Sequence, residues 1–176
     1  MSGHSHWAGI KHKKEAADKA RGAIFSKLLS AVSVAARPDP NPQFNSRLRA
    51  AIDKARTQGV PHDKIDSAIG RVKDAKETLQ EITLEAYGPG GAALIVSAIT
   101  DNKNRTISEL KKILSENECK AADPGSVLWA FKKEGEEWVP QFKQDIPENL
   151  QKRISDAITA LDEHPDVQKT FTNAVK

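Results

Sequence analysis

The chain has 176 residues and a mass of 19.2 kDa, of which 38% are apolar, 29% charged and 5% aromatic. That length holds one or two small domains with a real core, and the apolar share is that of a folded chain rather than a disordered one. No apolar run reaches the roughly 18 residues that a membrane span needs, and Met1 to His6 lack the apolar stretch of a signal peptide. With a single cysteine, Cys119, no internal disulfide can form, and these features predict a protein of the reducing cytoplasm.

The net charge of +3 hides an asymmetry. Residues 1–76 carry 15 Lys and Arg against 7 Asp and Glu, and residues 77–176 carry 12 against 17. Such a split predicts one half that meets polyanions and one that does not.

In the first half, Ile24, Phe25, Leu28, Leu29 and Val32 recur at helical spacing, and Ala35 and Ala36 continue the pattern. Pro38, Pro40 and Pro42 then end the helix. A second helix is predicted from about Phe44 to Gln58, with Phe44, Leu48, Ala51, Ile52 and Ala55 on one face and Gly59 after its end. Pro61 suits the first turn of a third, whose stripe is Ile65, Ala68, Ile69 and Val72. Residues 1–76 therefore read as a basic three-helix domain preceded by an N-terminal arm.

The pattern changes near Leu79. Ile82 to Tyr87 alternates like a strand, Gly88-Pro89-Gly90-Gly91 is a turn, and Ala92 to Thr100 is a continuous apolar run that reads as a buried strand. Thr106 and Glu109 fit a capping box for a helix carrying Ile107, Leu110, Ile113 and Leu114. Strands are predicted at Val127 to Phe131 and Trp138 to Phe142, a helix around Ile154 to Leu161, and a last strand at Val167 to Thr172. From Ala92 the order is that of a ferredoxin-like βαββαβ domain with an extra leading strand, so the fold class is α+β and residues 77–176 form an acidic α/β domain.

The candidate binding residues lie in the basic half. His4, Trp7, Lys11, His12, Lys13 and Lys14 would make the arm a phosphate-neutralising segment with an aromatic able to stack on a base. Arg21 and Lys27 carry the charge onto the first helix, and Arg47, Arg49 and Lys54 form a second cluster with Arg56. At 100° per residue, Arg47 and Lys54 share one face of the helix and Arg49 and Arg56 another.

Other chemistry finds little support. Ser2-Gly3-His4 has the donors of a square-planar copper or nickel site, but the histidines lack the partners of a zinc site, and no metal or other cofactor is expected. The glycine-rich turn lacks the Lys-Ser/Thr of a phosphate-binding loop and leads into a strand. Cys119 has no evident histidine partner, and the pairs Glu136-Glu137 and Asp162-Glu163 belong to no acid–base set. No enzyme and no small-molecule substrate are expected.

Several stretches together resemble the YebC family, also called the YebC/PmpR transcriptional-regulator family, which includes a mitochondrial translational activator. They are residues 3–14 (GHSHWAGIKHKK), 21–28 (RGAIFSKL), 47–55 (RLRAAIDKA), 87–91 (YGPGG), 100–106 (TDNKNRT) and 166–173 (DVQKTFTN), in family order along the chain. The resemblance implies a helical N-terminal domain, a second α/β domain and a third inserted within the second. Here the chain passes from Phe131–Gly135 almost directly to Trp138–Phe142, so a short member without the inserted domain is expected. His6 stands where the family usually has a lysine before the tryptophan, and Ala20 and Ala23 replace lysines that commonly flank the Arg-Gly pair, making this chain less basic there.

The resemblance implies two activities. One is DNA-binding transcriptional regulation. The other is a ribosome-associated translation factor that eases synthesis of difficult stretches, notably proline runs. The residues favour the second, with ribosomal RNA or tRNA as partner, because no helix presents a row of base-reading side chains and a basic arm suits irregular RNA. DNA is the alternative ligand, and a third reading is an interaction module whose basic half binds an acidic protein. The start of the chain at Met1-Ser2 leads one to expect a bacterial protein without a mitochondrial presequence.

Overall fold

The computed structural model describes residues 3–73 and 78–175, with side chains at 15, 17–72 and 78–175. The chain divides into two compact units between Glu77 and Thr78. Among the described residues, no helix is long and apolar enough to cross a membrane.

In the first unit, helix α1 runs Gly3–Ala36, 34 residues or about 50 Å. The predicted arm is therefore corrected: residues 3–14 belong to the helix. No proline precedes Pro38, and alanine and lysine are good helix formers, so a helix nucleated on the packed half propagates at little cost. The packed half begins near Phe25 and buries Leu28, Val32, Ala35 and Ala36. Described residues 15 and 17–24 are exposed.

Helix α2 spans Ser46–Thr57 and starts two residues later than the hydrophobic pattern predicts. Phe44, expected in its buried face, is 79% exposed and lies before the N-cap. The cap is Asn45, whose Oδ1 accepts from Leu48 N at 2.9 Å. Its Nδ2 donates to the carbonyls of Ala35 (2.6 Å) and Asp39 (2.7 Å), joining the end of α1 to the start of α2. Gly59 adopts φ 79° and lets Val60 N reach Ala55 O at 3.0 Å, closing α2. Helix α3, His62–Lys73, packs Ile65 and Ala68 into the same core, and Ser33 on α1 donates to Ala68 O at 3.1 Å.

The second unit starts with a hairpin. Strands β1 (Gln80–Tyr87) and β2 (Ala93–Thr100) pair antiparallel from Gln80↔Thr100 to Tyr87↔Ala93. The turn between them holds Gly90 at φ 70°, where an added Cβ would lie 3.1 Å from Ile146 and 3.2 Å from Leu150. Helix α4 (Lys103–Glu116) leads to β3 (Lys120–Ala121), and α5 (Glu148–Asp162) to β7 (Val167–Thr172). Between them lie β4 (Phe131–Glu134), β5 (Glu137–Pro140) and β6 (Gln144–Asp145), while β8 (Ala174–Val175) follows β7. The main sheet has the order β3-β1-β2-β7 and is antiparallel throughout.

Both helices cover one sheet face, where Leu110, Leu114, Ile154, Ala157 and Leu161 meet Ile82, Leu84, Leu94 and Val96. The other face, with Ala93, Ile95 and Phe171, is covered by Val127, Ala130 and Phe131. Burial on two faces explains the unbroken apolar run of β2.

The class is α+β as predicted, but the strands are placed differently. The leading strand β1 sits inside the sheet, because a short turn joins it to β2. Strands β4 and β5 pair with each other outside it. After Phe131, β4 is exposed throughout and β5 alternates exposed with half-buried, too polar for the middle of a doubly covered sheet. The predicted strand Val127 to Phe131 is instead a 3-10 turn at Leu128–Ala130 followed by β4. Its amides are diverted by the buried Glu85 carboxylate, which accepts from the backbone N of Gly125 (2.6 Å), Val127 (2.7 Å) and Leu128 (3.2 Å). The cap of α4 is also corrected: Asn102 accepts from Arg105 N at 3.1 Å, and Thr106 lies inside the helix. At the place where an inserted domain was expected to be missing, β4 and β5 join through the turn Gly135–Glu136.

Candidate nucleic-acid interface

Helix α2 turns its buried stripe, Leu48, Ile52 and Ala55, toward α1 and α3. Helical spacing then fixes where its cations go. Arg47 and Lys54 fall on one flank, Arg49 and Arg56 on the other, and the outward ridge carries Ala50, Asp53 and Thr57. Arg49 and Lys54 are exposed and Arg47 is half-buried. Arg56 Nη2 lies 3.1 Å from His62 Nε2. A guanidinium only donates, so this ring nitrogen accepts, and Nδ1 carries the proton given to Asp66 at 2.8 Å. The outward ridge of α3 likewise bears Asp63 and Asp66.

On α1, Arg21 is exposed on the stretch before the packed half and Lys27 is half-buried. The backbone of His4, Trp7, Lys11, His12, Lys13 and Lys14 lies in α1, but their side chains are outside the described residues. Ser2 of the Ser2-Gly3-His4 motif is also outside them. The helical unit thus carries its described candidate cations on one exposed helix and on two flanks of another, not along one face.

In the second unit a polar junction ties the end of β2 to α4 and β7. Arg105 donates to Asp101 (3.0 Å), Asp166 (3.0 Å) and Glu109 (3.2 Å). These bonds, that with Asp101 foremost, raise its already high pKa further. Thr106 Oγ1 lies 2.6 Å from Asp166 and 2.8 Å from Thr100 Oγ1. Buried His164 completes the junction: Nδ1 accepts from Asp166 N (3.2 Å), so Nε2 carries the proton and donates to Glu109 (3.0 Å).

Glu109, His164 and Asp166 offer ligand atoms within 4.8 Å of one another. A cation there would have to displace the guanidinium that already neutralises these carboxylates. The donors of Arg105 are engaged within the unit.

Cys119 is buried and its thiol is pushed up to about 11, chiefly by burial and then by Glu118. It stays a protonated thiol at neutral pH, which suits a packing role. Glu137 pairs with Lys169.

The residues that sequence reasoning missed are Glu85 and two aromatics, Trp129 and Phe142, which were placed in predicted strands and are mostly exposed. A lone glutamate in an alternating strand gives no sign that three amides will converge on it.

Comparison with known proteins gives the following. Residues 5–75 match the family described as TACO1/YebC protein N-terminal domain, and residues 79–137 that described as TACO1/YebC second and third domain. A protein of Petrotoga mobilis named "Probable transcriptional regulatory protein" is 42% identical over 176 residues, covering 98% of this chain and 70% of the relative. Relatives of the same name from Pseudothermotoga lettingae and Fervidobacterium nodosum are 44% and 49% identical, over 96% and 77% of this chain and 66% and 55% of their own. The chain thus spans from about half to 70% of the length of these relatives. The crystal structure of the conserved hypothetical protein Aq1575 from Aquifex aeolicus matches with a TM-score of 0.82 at 26% identity, covering 88% of this chain and 90% of that one. The chain belongs to the TACO1/YebC family.

Proposed function

We propose that this member of the TACO1/YebC family is a non-enzymatic, cytoplasmic, ribosome-associated translation factor that eases synthesis of difficult, proline-rich stretches. The helical unit docks on ribosomal RNA or tRNA through Lys11, Lys13, Lys14, Arg21, Lys27, Arg47, Arg49 and Lys54. The start of α1, with His4 and Trp7, reaches into a functional centre, and His12 lies among the nucleic-acid-binding residues beside it. The α/β unit serves as a positioning platform.

One observation carries this reading: the placement of charge on α2 and α3. A helix that reads the major groove presents one outward face rich in Arg, Asn or Gln. Here the outward ridges carry Asp53, Asp63 and Asp66, and the arginines of α2 sit on opposite flanks. Charges spread over several surfaces suit the irregular backbone of folded RNA. A helix of which about 30 Å precedes the packed half adds reach.

The test is gradient sedimentation of tagged protein in lysate of growing cells, at two salt concentrations and with DNase. The expected result is co-migration with ribosomal particles that survives DNase and weakens with salt. Lys13→Glu with Lys14→Glu, and separately Arg49→Glu, should weaken it and flatten the salt dependence. Migration as free protein, or binding indifferent to these reversals, overturns the docking proposal.

A second reading, a DNA-binding regulator, is favoured by the names of the relatives. Its signature is a site-specific mobility shift that survives excess competitor DNA.

A further inference from the structure

Among the described residues Phe44 is the most exposed large apolar side chain, at 79%. It stands at the entry to α2, directly before the cap Asn45. An apolar residue there often packs on the fourth residue of its helix. That position holds Arg49, so the ring gains no apolar partner from α2 and stays in solvent.

The segment that carries the ring is fixed. Pro38, Pro40 and Pro42 restrict its backbone. Asp39 Oδ1 accepts from Asn41 N at 2.8 Å, Asn41 Oδ1 from Gln43 N at 3.0 Å, and Asn41 O from Phe44 N at 3.1 Å. The bonds from Asn45 to Ala35 O and Asp39 O hold the start of α2 against the end of α1, where Arg37 follows. A ring on so fixed a backbone costs little entropy when a ligand lands on it.

The charge beside the ring is positive. From Arg37 to Arg49 the chain carries Arg37, Arg47 and Arg49 against a single acid, Asp39. Arg37 and Arg49 are exposed, and Asp39 and Arg47 are half-buried. A helical side chain leans back over the turn before its own Cα, which carries the head of Arg49 toward the helix start and Phe44. Asp53 stands one turn further along α2, away from the ring.

The isolation of the ring decides between occupants. Protein interfaces are built on contiguous apolar patches. In the described part of the helical unit the other large exposed apolar side chain is Ile24, more than three turns before the end of α1. One ring among arginines instead matches one nucleotide, whose base offers a π-face and whose phosphate is anionic.

We propose that Phe44 is the stacking platform for an unpaired RNA base and that Arg49 holds a phosphate of the same strand. This rests on the RNA docking proposed for the helical unit and deepens it. The ligand at this end of α2 is single-stranded, because in a duplex each base face is covered by its neighbour.

Fluorescence anisotropy with the full chain tests it, using labelled oligouridylate, an RNA duplex of the same length and hexaglutamate, each at two salt concentrations. Phe44→Ala and Phe44→Leu should each lose about fivefold or more of the oligouridylate affinity and keep its salt dependence. Phe44→Trp should retain that affinity or raise it. Duplex and hexaglutamate binding should stay unchanged in all three, and unchanged circular dichroism checks that the variants fold. Arg49→Gln should flatten the salt dependence on oligouridylate by about one phosphate contact. Normal oligouridylate affinity in Phe44→Ala, full affinity in Phe44→Leu, an equal loss on the duplex, or a loss of hexaglutamate binding overturns the stacking proposal. If Phe44→Ala is normal while Arg49→Gln still weakens RNA binding, the docking reading stands without the platform. If the unaltered chain binds neither RNA, both fail.

Discussion

Replacing Asn45 by alanine tests how the helical unit is held. Asn45 makes three hydrogen bonds from a nearly buried position: it caps α2 and donates to two carbonyls at the end of α1 and in the following loop. Loss of an N-cap costs about 1 kcal/mol. A buried carbonyl left without a partner costs about 1–3 kcal/mol, with Asp39 O, in a half-buried residue, at the lower end. The sum is about 3–5 kcal/mol, against a total of about 4–10 kcal/mol for a unit of this size. Hydrogen exchange read by mass spectrometry on the full chain is the direct assay. Amides of α2 and of the packed half of α1 should exchange at least about a hundredfold faster, since 1.4 kcal/mol is about tenfold. Those of β1 and β2 should not change. Asn45→Asp keeps the cap acceptor but loses both donations, and should fall between the two proteins. A cost below about 1 kcal/mol for the alanine variant, or acceleration throughout the α/β unit, refutes this account.

Other predictions concern the second unit. Glu85→Gln replaces a charged acceptor of three amides by one oxygen and an NH₂ that cannot accept, and should destabilise that unit by about 2–4 kcal/mol, read from the urea midpoint. The Cys119 thiol, raised to about 11, ionises near 9 once the chain unfolds. Its contribution to stability is therefore complete below pH 9 and is lost as pH rises toward 11. Urea midpoints between pH 8 and 11 should fall more steeply in the native protein than in Cys119→Ala, and identical slopes would rule this out. Arg105→Ala should lower Tm, because Asp101, Glu109 and Asp166 lose their shared cation, while oligouridylate affinity stays unchanged. A matching loss of RNA affinity would instead make Arg105 part of an RNA interface.

The parts that could be read from the sequence are those where one local cause dominates. Apolar spacing found α3 and β7, and the unbroken run from Ala92 to Thr100 correctly announced a strand covered on both faces. Errors arose where a distant side chain overrides the local pattern. Phe44 continues the apolar phase of α2, yet the chain enters the helix at Asn45 because that side chain binds two carbonyls ten and six residues away. Val127 to Phe131 has strand composition, but the carboxylate of Glu85, some forty residues earlier, takes its amides. The candidate interface was legible as composition and as helix angle for Arg47, Arg49, Lys54 and Arg56. It was not legible as shape, since charge alone does not distinguish an arm from the first turns of a 34-residue helix.

The acidic ridges of α2 and α3 bear on how the helical unit approaches a polyanion. A straight approach of either ridge to a phosphate backbone brings Asp53, or Asp63 and Asp66, nearest the phosphates. An approach along the flank of Arg47 and Lys54 brings those cations to the surface and turns Asp53 away from it, whereas on the opposite flank Asp53 lies one turn on from Arg49, about 40° from it. His62 links Arg56 to Asp66 and so ties one cation of the second flank to the ridge of α3. Arg49 is then the less restrained cation of that flank, which is why its reversal is the more informative test there. A ligand that meets both flanks has to wrap the helix, and a straight duplex does not wrap a helix about 10 Å wide. A folded RNA with phosphates converging from two sides can, and the same geometry that disfavours a groove reader thereby favours a shaped ligand.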